Sequence, residues 1–167
     1  MKMIYWLLTF SMLAHSSAWA VCNANIQATT PDDRFIVDAA NGLVTDKVTG
    51  LIWQRCSLGQ TGSNCSGAAT PYTWEAALQA ATDSTFAGYT DWRLPNIKEL
   101  SSIVEQRCHG PAINTAVFLN TAGGGSWSSS PHASDGSRAW TVFFGNGGDH
   151  EGIRSYGSYV RLVRDGQ

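Results

Sequence analysis

The chain has 167 residues, of which 43% are hydrophobic, 11% aromatic and 14% charged, a balance that excludes an intrinsically disordered chain. That length fits one domain rather than two. A formal net charge of −2 gives no general nucleic-acid-binding surface, so no nucleic-acid partner is expected.

In chain order, the first element is an address rather than a structure. Lys2 opens it, Ile4 to Ala14 are apolar apart from Thr9 and Ser11, and Ala18-Trp19-Ala20 fits the small-x-small cleavage pattern. This predicts a signal peptide over residues 1–20, cleaved after Ala20. The apolar run is shorter than the ~20 residues a spanning helix needs, and no later stretch approaches that length. Residues 21–167 are therefore expected as a single domain with no membrane span, exported to the periplasm, the medium or the cell surface.

Four cysteines follow, Cys22, Cys56, Cys65 and Cys108. An even count after an export signal argues for two disulfides. Of the three connectivities, the short polar loop between Cys56 and Cys65 favours a local bridge, which leaves Cys22 to pair with Cys108. The spacing lacks the C-x₂₋₄-C pairs of a zinc site, so neither a metal nor a cofactor is expected.

Residues 22–33 read as a tail or first strand. From Arg34 to Gln54 the pattern is of consecutive short strands, Phe35-Ile36-Val37, Leu43-Val44-Thr45 and Leu51-Ile52-Trp53-Gln54, with Asn41-Gly42 marking a hairpin. Thr73 is a candidate N-cap for a helix whose apolar stripe is Trp74, Ala77, Leu78 and Ala81, ending at Gly88. Asp91-Trp92-Arg93-Leu94-Pro95 is a short extended element. Asn96 with Glu99 three positions on predicts a capping box for a second helix, its stripe Leu100, Ile103 and Val104. Beyond an irregular stretch and Gly123-Gly124-Gly125, strands are expected at 126–130, 137–144 and 159–164, with Gly145 to Gly152 as a Gly-rich turn. Two helices among short strands give the fold class α+β.

Five strings occur in one order: Gly50-Leu51-Ile52-Trp53-Gln54-Arg55-Cys56, Tyr72-Thr73-Trp74-Glu75-Ala76-Ala77-Leu78, Asp91-Trp92-Arg93-Leu94-Pro95-Asn96-Ile97-Lys98-Glu99-Leu100, Trp127-Ser128-Ser129 and Val160-Arg161-Leu162-Val163-Arg164. The ordered set resembles the C-terminal domain family of the Legionella collagen-like protein, over essentially all of the chain past the signal peptide. The resemblance implies a C-type-lectin-like domain, loop-rich and disulfide-stapled, within a group that also includes formylglycine-generating enzymes. It further implies a secreted, non-catalytic binding module, the name-giving relative being a surface adhesin for sulfated glycans.

Two sets of residues stand out. Trp92, Arg93, Leu94 and Pro95, with Asp91 and Glu99 as candidate partners of Arg93, read as a structural motif: apolar rings and branches for the core, and a guanidinium fork for carboxylates or carbonyls. Trp140, Asn146, Asp149, His150, Arg154 and Arg161 read as ligand contacts. Trp140 offers an aromatic face, the Gly145–Gly152 turn offers Asn146, Asp149 and His150 on a loop, and Arg154 and Arg161 with Arg164 offer a patch for sulfate or carboxylate. The sequence has no G-x-S-x-G and no H-E-x-x-H, so no catalytic residues are assigned. The expected ligand is a glycan or a surface protein. The alternatives are a structural subunit of a surface appendage or envelope complex, and an enzyme of the formylglycine-generating type. The oligomeric state stays open.

Overall fold

The computed structural model describes residues 20–166. The predicted signal peptide, up to Trp19, lies outside the described residues. The chain is α+β. It carries β1 (Val21–Cys22), β2 (Phe35–Asp38), β3 (Leu43–Asp46), β4 (Leu51–Gln54), α1 (Trp74–Thr82), α2 (Ile97–Ser102), β5 (Cys108–His109), β6 (Gly125–Pro131), β7 (Arg138–Phe143), β8 (Gly148–Ile153) and β9 (Val163–Asp165). No described helix is long and apolar enough to cross a membrane.

The meander read from the sequence is present. β2, β3 and β4 pair antiparallel, and β9 returns from the chain's end to pair antiparallel with β4. Alternation decides which side chains go inward. Val44 lies opposite Trp53, and Trp53 opposite Val163, so all three share one buried face. Leu43 and Ile52 point the other way, toward a second apolar cluster. Gly42 takes a φ of +68° in the turn between β2 and β3. An added Cβ there would strain the backbone and meet the Phe86 ring at 2.9 Å.

β6, β7 and β8 form a separate antiparallel sheet with β8 at its edge. This sheet divides the core. Val142 faces a cluster with Leu100, Ile103, Phe118 and Phe144, on the side where α2 sits. Trp127 and Ala139 face the opposite way, into a cluster with Ala77, Ala81, Trp92, Leu94 and Leu162, where α1 sits. Gly152 exists for Trp127: a Cβ would come within 2.5 Å of the indole.

Two disulfides close the structure. Cys22–Cys108 joins β1 to β5, and Cys56–Cys65 closes the loop after β4. Buried charge is paired at the strand edge, where Arg34 donates to both oxygens of Asp46. Burial pushes the Asp46 carboxyl up, but hydrogen bonds from Arg34, Thr49 and the Val48 amide hold it below its ordinary value.

Both helix caps behave as the sequence predicts. Thr73 accepts from the Ala76 amide, and Asn96 and Glu99 form the full capping box. Three expectations are corrected. α1 stops at Thr82 rather than Gly88, and Phe86–Gly88 forms a separate 3-10 turn. In its last turn the Thr82 hydroxyl donates to the Leu78 carbonyl and Asp83 accepts from Gln79, side-chain bonds that compete with helix continuation. The supposed Gly145–Gly152 loop turns within residues 144–147, and the remainder is β8, because each residue from Gly148 to Gly152 finds a partner on β7. The last strand covers only Val163–Asp165; Ser158 and Tyr159 make isolated bridges to Tyr72 and Ser126. Pro95 precedes the N-cap, and its carbonyl accepts from the Ser129 amide.

Candidate functional site

The motif around Trp92 is a clasp. Trp92 and Leu94 are buried, and the Trp92 indole N–H donates to the Phe86 carbonyl. The Arg93 backbone exchanges hydrogen bonds with Val163, fastening this segment to the terminal strand. Its guanidinium grips both oxygens of Glu99, at 2.8 and 2.9 Å, and reaches Asp165 at 2.6 Å. Asp91, the other expected partner, instead takes Arg164, which lies over the Tyr89 ring. Glu99 also accepts the Asn96 amide of its own capping box. Burial pushes Glu99 up, yet the Arg93 and Asn96 donors leave it below the ordinary carboxylate range.

The six predicted ligand residues do not converge. Arg161 is buried and cannot touch a surface ligand. Its fork donates to the Gln54 and Arg55 carbonyls and to the hydroxyls of Ser57 and Thr121, above the Phe118 ring. The patch of Arg154, Arg161 and Arg164 therefore does not form, since Arg164 is buried as well and paired with Asp91. Asn146 caps its own turn by accepting the Gly148 amide, and Asp149 accepts the Ser101 hydroxyl of α2. His150 leans edge-on to Phe143. From Asp149 to Arg154 the chain runs along β8, roughly 16 Å at strand rise.

Trp140 and Arg154 gather at the other end of the β7–β8 hairpin. Cross-strand register puts Trp140 opposite Glu151 and Arg138 opposite Ile153, on the face shared with Val142. α2 covers that face around Val142 and Asp149, through Leu100 and Ser101. Beyond it Trp140 is half-buried, its ring 5.3 Å from the His132 ring at a 44° tilt. His132 lies 3.1 Å from Glu151, Glu151 lies 3.5 Å from Arg138, and Arg138 lies 3.1 Å from Asp135. Hydrogen bonds from Ser137, and beside them Arg138, hold the Asp135 carboxyl below its ordinary value.

On the reverse face, at the same end, Arg154 stacks 4.1 Å over the Trp74 ring while its Nε–H donates to the Arg138 carbonyl. A groove of about 360 Å³ opens beside it, lined by Thr73, Glu75, Ser137, Arg154 and Ser155. The open end of the sheet thus presents a framed indole on one side and a stacked guanidinium on the other.

A family model of the Lcl C-terminal domain matches residues 42–164. The chain belongs to that family. No curated protein matches it. The matched range of this Lcl C-terminal domain holds the open sheet end and all of the Arg93 clasp but Asp165. Ser134 Oγ lies 3.5 Å from His132 Nδ1, with Glu151 on the other ring nitrogen. The Ser134 hydroxyl sits on an exposed loop. Among the described residues no group of three or more His, Cys, Asp or Glu side chains is placed to hold a metal ion.

Sequence reasoning missed His132, Arg138 and Glu151 as companions of Trp140. Asn146-Gly147, a hairpin dipeptide, marks the turn but not its register. A two-residue turn at that pair would put Trp140 opposite Ile153, whereas the four-residue turn at 144–147 puts it opposite Glu151.

Proposed function

We propose that the chain is an exported, non-catalytic binding module of C-type-lectin-like architecture, and that a glycan or a surface protein docks at the open end of the β6–β8 sheet. The observation that carries this is Trp140, an indole on a sheet face that α2 leaves uncovered, framed by His132, Arg138 and Glu151. An indole face accepts the C–H face of a sugar ring, and planar charged groups around it take hydroxyl or sulfate oxygens. The two helices, antiparallel sheets and two disulfides support the architecture. Export rests on the pattern of residues 1–20, with which the disulfides are compatible. All four cysteines are paired, which weighs against an oxidase of the formylglycine-generating kind.

The test is a glycan panel that includes sulfated polymers, run with calcium and with chelator. Saturable binding that Trp140→Ala abolishes, with an unchanged melting temperature, is the expected result. Binding that survives Trp140→Ala places the contact elsewhere. A second reading, a subunit of a surface assembly, is favoured by the edge strand β2, which leaves Ile36 58% and Val37 39% exposed. It predicts association through that edge, measured by light scattering of the wild type against Ile36→Lys.

A further inference from the structure

Arg161 is out of place for a buried arginine. Among the described residues no carboxylate pairs with it; its fork is spent on two carbonyls and two hydroxyls, and its Nε–H has no partner. Burial pushes the guanidinium down to about 9, still well above neutral, so the charge persists. A buried cation without an anion leaves an uncompensated positive field.

A cavity of about 380 Å³ opens on the far side of two residues that hold this group, with Arg161 itself behind its wall. Two of its wall residues, Gln54 and Ser57, are also Arg161 partners. Gln54 is 4% exposed, and its carboxamide makes no hydrogen bond with any described residue. Ser57 is also 4% exposed; its hydroxyl oxygen accepts from Arg161 at 3.3 Å, which leaves the hydroxyl proton free to donate. The other walls are mostly apolar, with Leu58, Gly59 and Phe86, and the polar side chains among them, Gln60, Thr61 and Ser84, already have partners within the chain. An apolar cleft of this size with a few convergent polar groups has the anatomy of a small-molecule site.

We propose that this cavity binds a carboxylate carried on a ring-sized body, the carboxylate taking the Gln54 amide N–H and the Ser57 hydroxyl and sitting in the field of Arg161, with the ring against Leu58 and Phe86. The missing counter-ion of Arg161 is then the ligand. A free aromatic acid and a uronic acid share this chemistry. The site is separate from the Trp140 end, so each reading stands or fails alone.

The probes are benzoate and glucuronate, with benzamide and glucose as their neutral counterparts, titrated into the full protein by isothermal calorimetry. One or both acids are expected to bind saturably, at least tenfold tighter than the neutral partner. Benzoate alone identifies an aromatic acid as the source, and glucuronate a uronic acid. Ser57→Ala and Gln54→Leu are each expected to weaken the acid about tenfold. Arg161→Met serves as a third variant, used only if circular dichroism shows it folded. Equal binding of acid and neutral partner overturns the proposal. So does acid binding that ignores both Ser57→Ala and Gln54→Leu, or no saturation by either acid at tens of millimolar.

Discussion

Arg93 and Arg161 meet the same terminal segment and solve the same problem in opposite ways. Arg93 bonds to the Val163 backbone and sets its charge between Glu99 and Asp165, partly in solvent. Arg161, two residues before Val163, is buried with only neutral oxygens and a ring for company. Both belong to the strings that carry the family resemblance. The difference teaches that a motif arginine is structural where its charge is answered within the chain, and marks a site where it is not.

The sharpest break of this comparison is at Arg161. Arg161→Ala removes a large buried side chain and takes a donor from the Ser57 and Thr121 hydroxyls and from two carbonyls, at a cost of about 3–5 kcal/mol. Arg161→Met keeps the volume beside Phe118, so its loss is expected at about 1–3 kcal/mol. Urea unfolding measures both. If Arg161→Met proves more stable than wild type, the guanidinium is a pure burden to the fold, and the case for a site behind it strengthens.

At Arg93 the effect is smaller, because its side chain is 38% exposed and solvent screens the pair. Glu99→Gln keeps an oxygen for the Asn96 amide but loses the charge under Arg93, and about 1 kcal/mol is expected. Arg93→Ala is expected near 1–2 kcal/mol. In a double-mutant cycle the two should couple; additivity within error would show that the clasp contributes nothing as a unit.

The carboxylates sharpen the contrast through pH. Burial raises Asp46, Glu99 and Glu105, but their donors win and all three lie below their ordinary values. Carboxyls depressed in the folded state stabilise it fully above the unfolded values, near pH 4, and that contribution is lost as pH falls through the folded values. The melting temperature should therefore be flat near neutrality and drop below about pH 4. Asp46→Asn should lower it at pH 7 and flatten the acid limb. An acid limb equally steep in Asp46→Asn assigns the loss to other groups.

How far the chain's own pattern reveals this structure differs by element. The strand alternation of Leu43 to Gln54, the Thr73 cap and the Asn96–Glu99 box are local, and each is legible within a few residues. The short span from Cys56 to Cys65 made that bridge readable too. The site residues were not legible in the same way. Trp140 joins His132 and Glu151 only through hairpin register, and the fate of Arg161 depends on Ser57 and Thr121, 104 and 40 positions away. An arginine in a strand-like run reads as surface until the packing around it is known.

Trp140 gives the smallest expected effect on stability and the largest on binding. Its ring meets His132 and stands outside both apolar clusters, so Trp140→Ala should cost under about 1 kcal/mol, far less than the 3–5 kcal/mol of a core aromatic truncation. Trp127→Ala supplies the contrast, because that indole is fully buried and donates to the Tyr72 carbonyl, and its loss should reach the core value. Thermal melts of the two variants side by side measure the difference. Were Trp140→Ala as damaging as Trp127→Ala, the indole would be a core residue, and the open end of the sheet would lose its claim as the docking surface.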